Sequence, residues 1–307
     1  MKHRTLNIVA ILLFIAGLAI FFCPIGANYL YEHKVQGVIS GFDEAAQELR
    51  QAEKESAQSG EDPAFRELYT DMQAYNLNLY ENGQDSLQDP FSYETPAFDL
   101  TGYGLEENIV GYISIPRMDV KLPIYLGAST ADLALGVGNL GYTSIPIGGT
   151  NTNTVLAGHR GYRCTAMFRD IEALQIGDKV YVTNFWDTLV YEVAETKVIL
   201  PTDIQKVYIQ EGRDMVTLIT CHPYTKNYQR YVVYCERMEA AADIEEADTT
   251  ARPDLENIFH WNELSVSEKL IFVERRLPAG VAVLLLLFIA IKLILWVFRR
   301  HKRRLSG

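Results

Sequence analysis

Apolar residues are distributed in three distinct ways along this chain, and each predicts a different kind of element. Leu6 to Ile25 is almost continuously apolar behind Lys2-His-Arg4, and a second such run, Leu277 to Phe298 broken by Lys292, leads into Arg299-Arg-His-Lys-Arg-Arg304. At ~1.5 Å of rise per residue each is long enough to cross ~30 Å of hydrocarbon. Between Tyr31 and Leu87 the composition turns charged and helix-favouring: Phe42 to Lys54 lacks proline and glycine, Ser56 to Pro63 breaks the pattern, and Ala64, Leu68, Met72, Tyr75 and Leu79 then recur at helical spacing. Such a stripe predicts an amphipathic helix packed on a main domain. From Asn108 the pattern shortens to strands punctuated by turn residues: Asn108 to Leu126 with Pro116 and Pro123, Thr154 to Ala157, Asp178 to Thr183, Thr188 to Val193, Met215 to Cys221 and Arg230 to Arg237. Glycine-rich Gly136 to Gly149 reads as turns and a short helix, and Met167, Phe168, Ile171 and Leu174 predict a second short helix over Thr165 to Leu174.

Charge then orients the chain. Both long apolar runs carry their basic residues on the outer tips, so the positive-inside tendency puts both termini in the cytoplasm and residues 26–276 outside. No small-x-small cleavage site follows the first run, which is therefore expected to be retained, and bulky Phe22 before Cys23 does not suit lipoprotein processing. Lys292 can snorkel to the basic end. The net charge of −11 argues against a nucleic-acid partner. Residues 239–248 form an acidic spacer, and Phe259 and Trp261 suit a membrane interface.

Four cysteines are too few for a disulfide scaffold. Cys23 lies in the first apolar run, Cys235 in an apolar strand, and a Cys164 to Cys235 pairing stays open. Cys221 is different, because it ends a strand at His222-Pro223, where a proline cannot continue the ladder. If the following strand pairs antiparallel with it, Arg230 faces Cys221 across the pair, and a guanidinium there favours a thiolate and can stabilise an oxyanion. His222, adjacent in sequence, should point to the other face. The candidate base is His159, at the end of the Thr154 to Ala157 strand and framed by Gly158 and Gly161. Cysteine, histidine and arginine so arranged suit covalent acyl transfer. Zinc held by His159, Cys164, Cys221 and His222 is disfavoured, since no CxxC or HxxxH spacing is present; neither a metal nor a cofactor is expected.

Thr217-Leu-Ile-Thr-Cys221 with Arg230, and Leu156-Ala-Gly-His-Arg-Gly161, resemble the signature segments of the sortases, membrane-anchored cysteine transpeptidases of Gram-positive bacteria. The resemblance runs from about Asn108 to Arg237 and takes in Gly111-Tyr-Ile-Ser-Ile-Pro116, Leu122-Pro-Ile-Tyr125 and Thr143-Ser-Ile-Pro146. It implies an all-β dominated fold, a closed eight-stranded barrel, here with N-terminal helices and two transmembrane helices. It also implies that His159, Cys221 and Arg230 are catalytic. Gln88-Asp-Pro-Phe-Ser-Tyr93 resembles the lid of the pilus-assembling class C sortases, in which Asp89 would engage Arg230 and Phe91 would cap Cys221. Asn139 stands where the sortase pattern often has histidine.

The expected organisation is an N-terminal anchor (1–29), a helical region (30–87), a lid and connector (88–107), the catalytic barrel (108–237), an acidic linker and juxtamembrane segment (238–276) and a second transmembrane helix with a basic tail (277–307). The expected substrates are LPXTG-containing pilins or surface proteins, cut between Thr and Gly and passed to a pilin lysine. The alternatives are a sortase that uses a peptidoglycan amine and a non-enzymatic membrane-tethered binding module.

Overall fold

A computed structural model describes residues 2–59, 64–84, 87, 98–103, 105, 108–162 and 165–238. The chain divides into Met1–Ala251 and Arg252–Gly307, and everything described belongs to the first unit. Helix α1 (Lys2–Ser59) is followed by α2 (Ala64–Asn82); the break expected over Ser56 to Pro63 does not begin at Ser56, since residues 56–59 still belong to α1 and residues 60–63 lie outside the described residues. The backbone of the first apolar run lies within α1. The second run, the acidic spacer, Asp89, Phe91 and Cys164 fall outside the described residues. Among the described residues no helix is long and apolar enough to cross a membrane.

Eight strands close into a barrel: β1 (Ile109–Ile115), β2 (Val120–Leu126), β3 (Val137–Asn139), β4 (Thr152–Ala157), β5 (Lys179–Asn184), β6 (Thr188–Ile199), β7 (Asp214–His222) and β8 (Gln229–Arg237), in the order β1-β2-β3-β4-β7-β8-β6-β5. Most neighbours are antiparallel, but β2 with β3 and β4 with β7 are parallel. Closure removes free sheet edges, and side chains then alternate between lumen and exterior. The lumen is packed with Ile113, Ile124, Val137, Leu156, Val182, Val193, Leu218 and Val233, to which every strand contributes.

The exterior of β4, β7 and β8 is buried as well. Val155, Ala157, Met215, Ile219, Val232 and Tyr234 form a second apolar cluster there, covered by Leu87, Leu133, Leu140 and Val207. Val207 belongs to a 3₁₀ turn, Ile204–Val207, in the connection from β6 to β7. Asn153 fixes that connection by donating to the Val207 carbonyl at 2.8 Å, while its own oxygen accepts from Thr217 at 2.8 Å.

The two long helices hold to the barrel through aromatic contacts. Phe42 of α1 sits 4.7 Å from Phe185, and Phe65 of α2 stacks on Trp186 at 4.9 Å. The buried stripe of α2 is Phe65, Leu68, Met72, Asn76 and Leu79. It differs from the predicted stripe because Asn76, polar in sequence, turns inward to the backbone of Ile145.

Two short predicted helices are placed differently. The one expected within Gly136 to Gly149 lies upstream as α3 (Thr130–Leu133), capped by Ser129, and the glycine-rich stretch itself supplies β3 and turns. Over Thr165 to Leu174 the chain forms turns and a 3₁₀ segment, Ile171–Ala173. Met167, Phe168, Ile171 and Leu174 are buried as expected, but Met167 adopts a φ of 44°, which a helix does not tolerate.

Candidate active site

Cys221 and Arg230 are direct partners across β7 and β8, as the antiparallel reading requires. His159 reaches the same level from the other side. β4 pairs parallel with β7 up to Ala157 opposite Ile219, and Gly158 continues the register by donating to the Ile219 carbonyl at 3.1 Å. Thr220, fully buried, then donates its hydroxyl to the Gly158 carbonyl at 2.6 Å. Carried two residues on, this register sets His159 beside Cys221. The three residues therefore stand at the ends of neighbouring strand lines about 4.8 Å apart, with Cys221 in the middle.

They also share a face. Met215 and Ile219 on β7, Val155 and Ala157 on β4, and Val232 and Tyr234 on β8 all belong to the exterior cluster. Alternation carries Cys221, His159 and Arg230 onto that exterior. The apolar cover over the cluster does not extend to the rim, where Cys221 and His159 are only partly buried. Arg230 is buried, and its Nη1 donates to the carbonyls of Asn227 at 3.1 Å and Gln229 at 2.9 Å. The guanidinium thus grips the start of its own strand and the loop before it.

His159 is held by its surroundings. Its carbonyl accepts from Phe168 at 3.0 Å, and its ring stacks on Tyr162 with centroids 4.9 Å apart and planes 11° from parallel. The flanking glycines have separate reasons. A Cβ on Gly158 would lie 2.8 Å from the Phe168 ring, and Gly161 has φ +83°, where the chain turns away. Burial lowers the His159 pKa from the ordinary imidazole value, because the charged ring loses hydration.

His222 lies on the lumen side, as its place in the strand predicts, against Arg160 and Tyr231. It therefore cannot join His159 and Cys221 around one ion. Among the described residues no group of three or more His, Cys, Asp and Glu side chains is arranged to hold a metal. Asn139 is buried and donates its amide to Thr143 and Ser144, both at 3.1 Å, which gives this departure from the histidine pattern a structural use. Cys235 is a free thiol buried in the lumen cluster, and burial raises its pKa. Sequence alone does not single out Arg160, Glu172, Thr220 or Tyr162; the signal for Arg160 and Thr220 is their place inside the segments that hold His159 and Cys221.

The profile of the Sortase domain matches residues 113–238, the part of the chain that contains nearly the whole barrel. Sortase A of Bacillus anthracis is 27% identical over 234 residues, covering 76% of this chain and 94% of that protein. Among solved structures, sortase C1 of Streptococcus agalactiae superposes with a TM-score of 0.58 at 31% identity, covering 66% of this chain and 98% of that one. Sortase C of Streptococcus pneumoniae, described together with its pilin substrate specificity, gives 0.55 at 31% identity over 66% of this chain and 97% of that one. Barrel, rim cysteine and these matches lead to one conclusion: the chain belongs to the sortase family of cysteine transpeptidases and resembles its class C, pilus-associated members.

Proposed function

We propose that this chain cuts an LPXTG-like sorting signal between Thr and Gly through a thioester on Cys221, and transfers the acyl group to a pilin lysine. The reading is carried by the convergence of Cys221, His159 and Arg230 at one partly open exterior rim. With the Cys221 proton transferred to His159, the sulfur attacks the threonine carbonyl carbon, forming a C–S bond and an oxyanion that the Arg230 guanidinium stabilises. The C–N bond to glycine breaks as His159 gives its proton to the departing amine. A lysine amine then attacks the thioester carbon, His159 takes its proton, and the sulfur leaves as thiolate. The exterior placement lets an extended peptide lie along the outside of the barrel, with the Ile204–Val207 connection as one wall and exposed Tyr224 and Tyr228 beyond the other end.

The likeness to streptococcal pilus sortases favours a pilin amine over a peptidoglycan amine as the second substrate. Sortases are in general membrane-anchored enzymes of the cell surface. Here we assign a two-pass topology, with residues 1–29 and 277–307 as anchors, both termini cytoplasmic and the barrel outside. Asp89 and Phe91 are assigned to a lid over the site. The test is mass spectrometry of the protein after mixing with an LPXTG peptide. A mass increase on Cys221 equal to the acyl fragment supports the thioester, and an unmodified Cys221 while peptide is consumed overturns it. Laddering of purified pilin subunits, against ligation to a wall-peptide amine, decides the acceptor.

A further inference from the structure

Behind the rim, one residue along from each member of the Cys–His pair, a second cluster faces the barrel lumen. Arg160 follows His159, and His222 follows Cys221. The Arg160 side chain is almost fully buried, at 7% exposure. Its Nη1 lies 2.7 Å from His222 Nδ1 and donates, at a longer 3.4 Å, to the backbone carbonyl of Cys221 itself. Its Nη2 donates to the carboxylate of Glu172, in the 3₁₀ turn Ile171–Ala173. Tyr231 of β8 closes the cluster, with its ring 6.0 Å from the guanidinium carbon and 5.7 Å from the His222 ring.

The donor inventory fixes how these groups work. Arginine is donor-only, so His222 Nδ1 must present its lone pair and the ring proton sits on Nε2. Glu172 also approaches His222 Nδ1 to 3.1 Å, so the Arg160 guanidinium bridges two side chains that themselves lie close together. One guanidinium therefore joins the segment after β4, the end of β7 and the Glu172 turn. Its Nε is buried and has no hydrogen-bond partner among the described residues.

We propose that Arg160 is a positioning residue of the transpeptidase: it fixes the distance between His159 and Cys221 from the lumen side, behind the exterior rim. It acts through the backbone. Arg160 and His159 are consecutive, and the Arg160 contacts on the Cys221 carbonyl and on the His222 ring pin the peptide unit that follows the sulfur-bearing residue. Loss of the fork lets the His159 segment drift relative to β7 while the exterior binding surface is untouched. The inference rests on the thioester reading of the function.

The experiment uses the full chain in detergent micelles with three forms, parent, Arg160→Met and Arg160→Lys. It measures kcat and KM for an LPXTG peptide and the rate of iodoacetamide alkylation at Cys221. Arg160→Met is expected to lower kcat by about 10- to 100-fold with KM nearly unchanged, the size of effect an ångström of misplacement produces. Alkylation should slow in parallel, because a poorly placed imidazole supports less thiolate. Arg160→Lys keeps the charge but presents its donors from one compact point instead of a planar fork, and is expected between the two. A folded Arg160→Met with parent-like kcat and alkylation overturns the proposal, as does a loss confined to KM. If Arg160→Met does not fold, parent-like kcat in Arg160→Lys overturns it. Should the parent form no thioester, the functional reading fails by itself, and alkylation still decides whether Arg160 positions Cys221.

Discussion

Asn76 gives the sharpest test of how the helices are held to the barrel. It is buried in α2, its Oδ1 accepts from the Ile145 N–H at 2.7 Å, and its Nδ2 donates to the Ile145 carbonyl at 3.2 Å. Asn76→Ala removes both bonds, but their losses are unequal. The Ile145 carbonyl keeps a second donor, the Ile147 N–H at 2.8 Å. The Ile145 N–H, on a residue with 1% exposure, has no second acceptor among the described residues. A stranded buried donor costs about 1–3 kcal/mol and the lost second bond about 1 kcal/mol, giving roughly 2–4 kcal/mol in all. At about 2–4 °C per kcal/mol for a domain of this size, the melting temperature should fall by about 4–16 °C. Calorimetry of parent and variant in the same detergent measures it. Asn76→Asp sharpens the test: its charged carboxylate still accepts from Ile145 N–H but sets a second oxygen against the carbonyl. Its deficit should shrink as pH falls and the carboxyl regains a donor. A variant Asn76→Ala that melts within about 1 °C of the parent would refute the reciprocal contact.

Four further outcomes follow from the site. Burial lowers the His159 pKa, so its NMR titration midpoint should lie below 6.5; between that midpoint and 6.5 the unfolded chain binds more protons, and stability should decline as pH drops through the window. A midpoint above 6.5 would mean that charge on Cys221 outweighs desolvation. Gly158→Ala puts a Cβ 2.8 Å from Phe168, a buried ring with nowhere to retreat, so it should destabilise by about 1–3 kcal/mol and lower turnover; parent-like thermal unfolding would contradict the packing. Arg230→Lys keeps the charge but loses the fork, and kcat for an LPXTG peptide should drop by about 10²–10³-fold, an undiminished kcat removing the oxyanion role. Phe91→Ala or Asp89→Ala should label faster at Cys221 than the parent, and equal rates would remove the lid assignment.

Which parts of this were legible in the sequence depends on how far apart the interacting residues lie. Cys221 and Arg230 flank one loop, so their pairing follows from local alternation and the His222-Pro223 stop. That His222 faces away from Cys221 follows from the same period of two. The neighbourhood of His159 and Cys221 rests instead on β4 lying parallel to β7, a pairing no pattern in either strand specifies; it was available only through the resemblance to sortases. Glu172 escaped for a related reason. Spacing of Met167, Phe168, Ile171 and Leu174 fits a helix and a buried turn equally well, and the turn won because Met167 takes a left-handed φ and Phe168 folds back over Gly158. Asn76 is not legible from sequence, because an asparagine reads as a surface residue until its buried backbone partner, Ile145, is known.

The double burial of β7 explains both the difficulty and the result. Six consecutive residues of that strand, Met215 to Thr220, are buried, so alternation leaves no polar face to read. One side packs in the lumen and the other under the Ile204–Val207 connection and Leu87. Exposure returns only past Thr220, where the outer cover ends, and Cys221 is the first residue of β7 beyond it on the exterior. A sulfur on the lumen side at that level would meet Arg160, His222 and Tyr231 instead of solvent. The strand thus divides two tasks by parity. Its exterior residue, Cys221, stands at the partly open rim, and its lumen neighbour, His222, belongs to the polar cluster around buried Arg160.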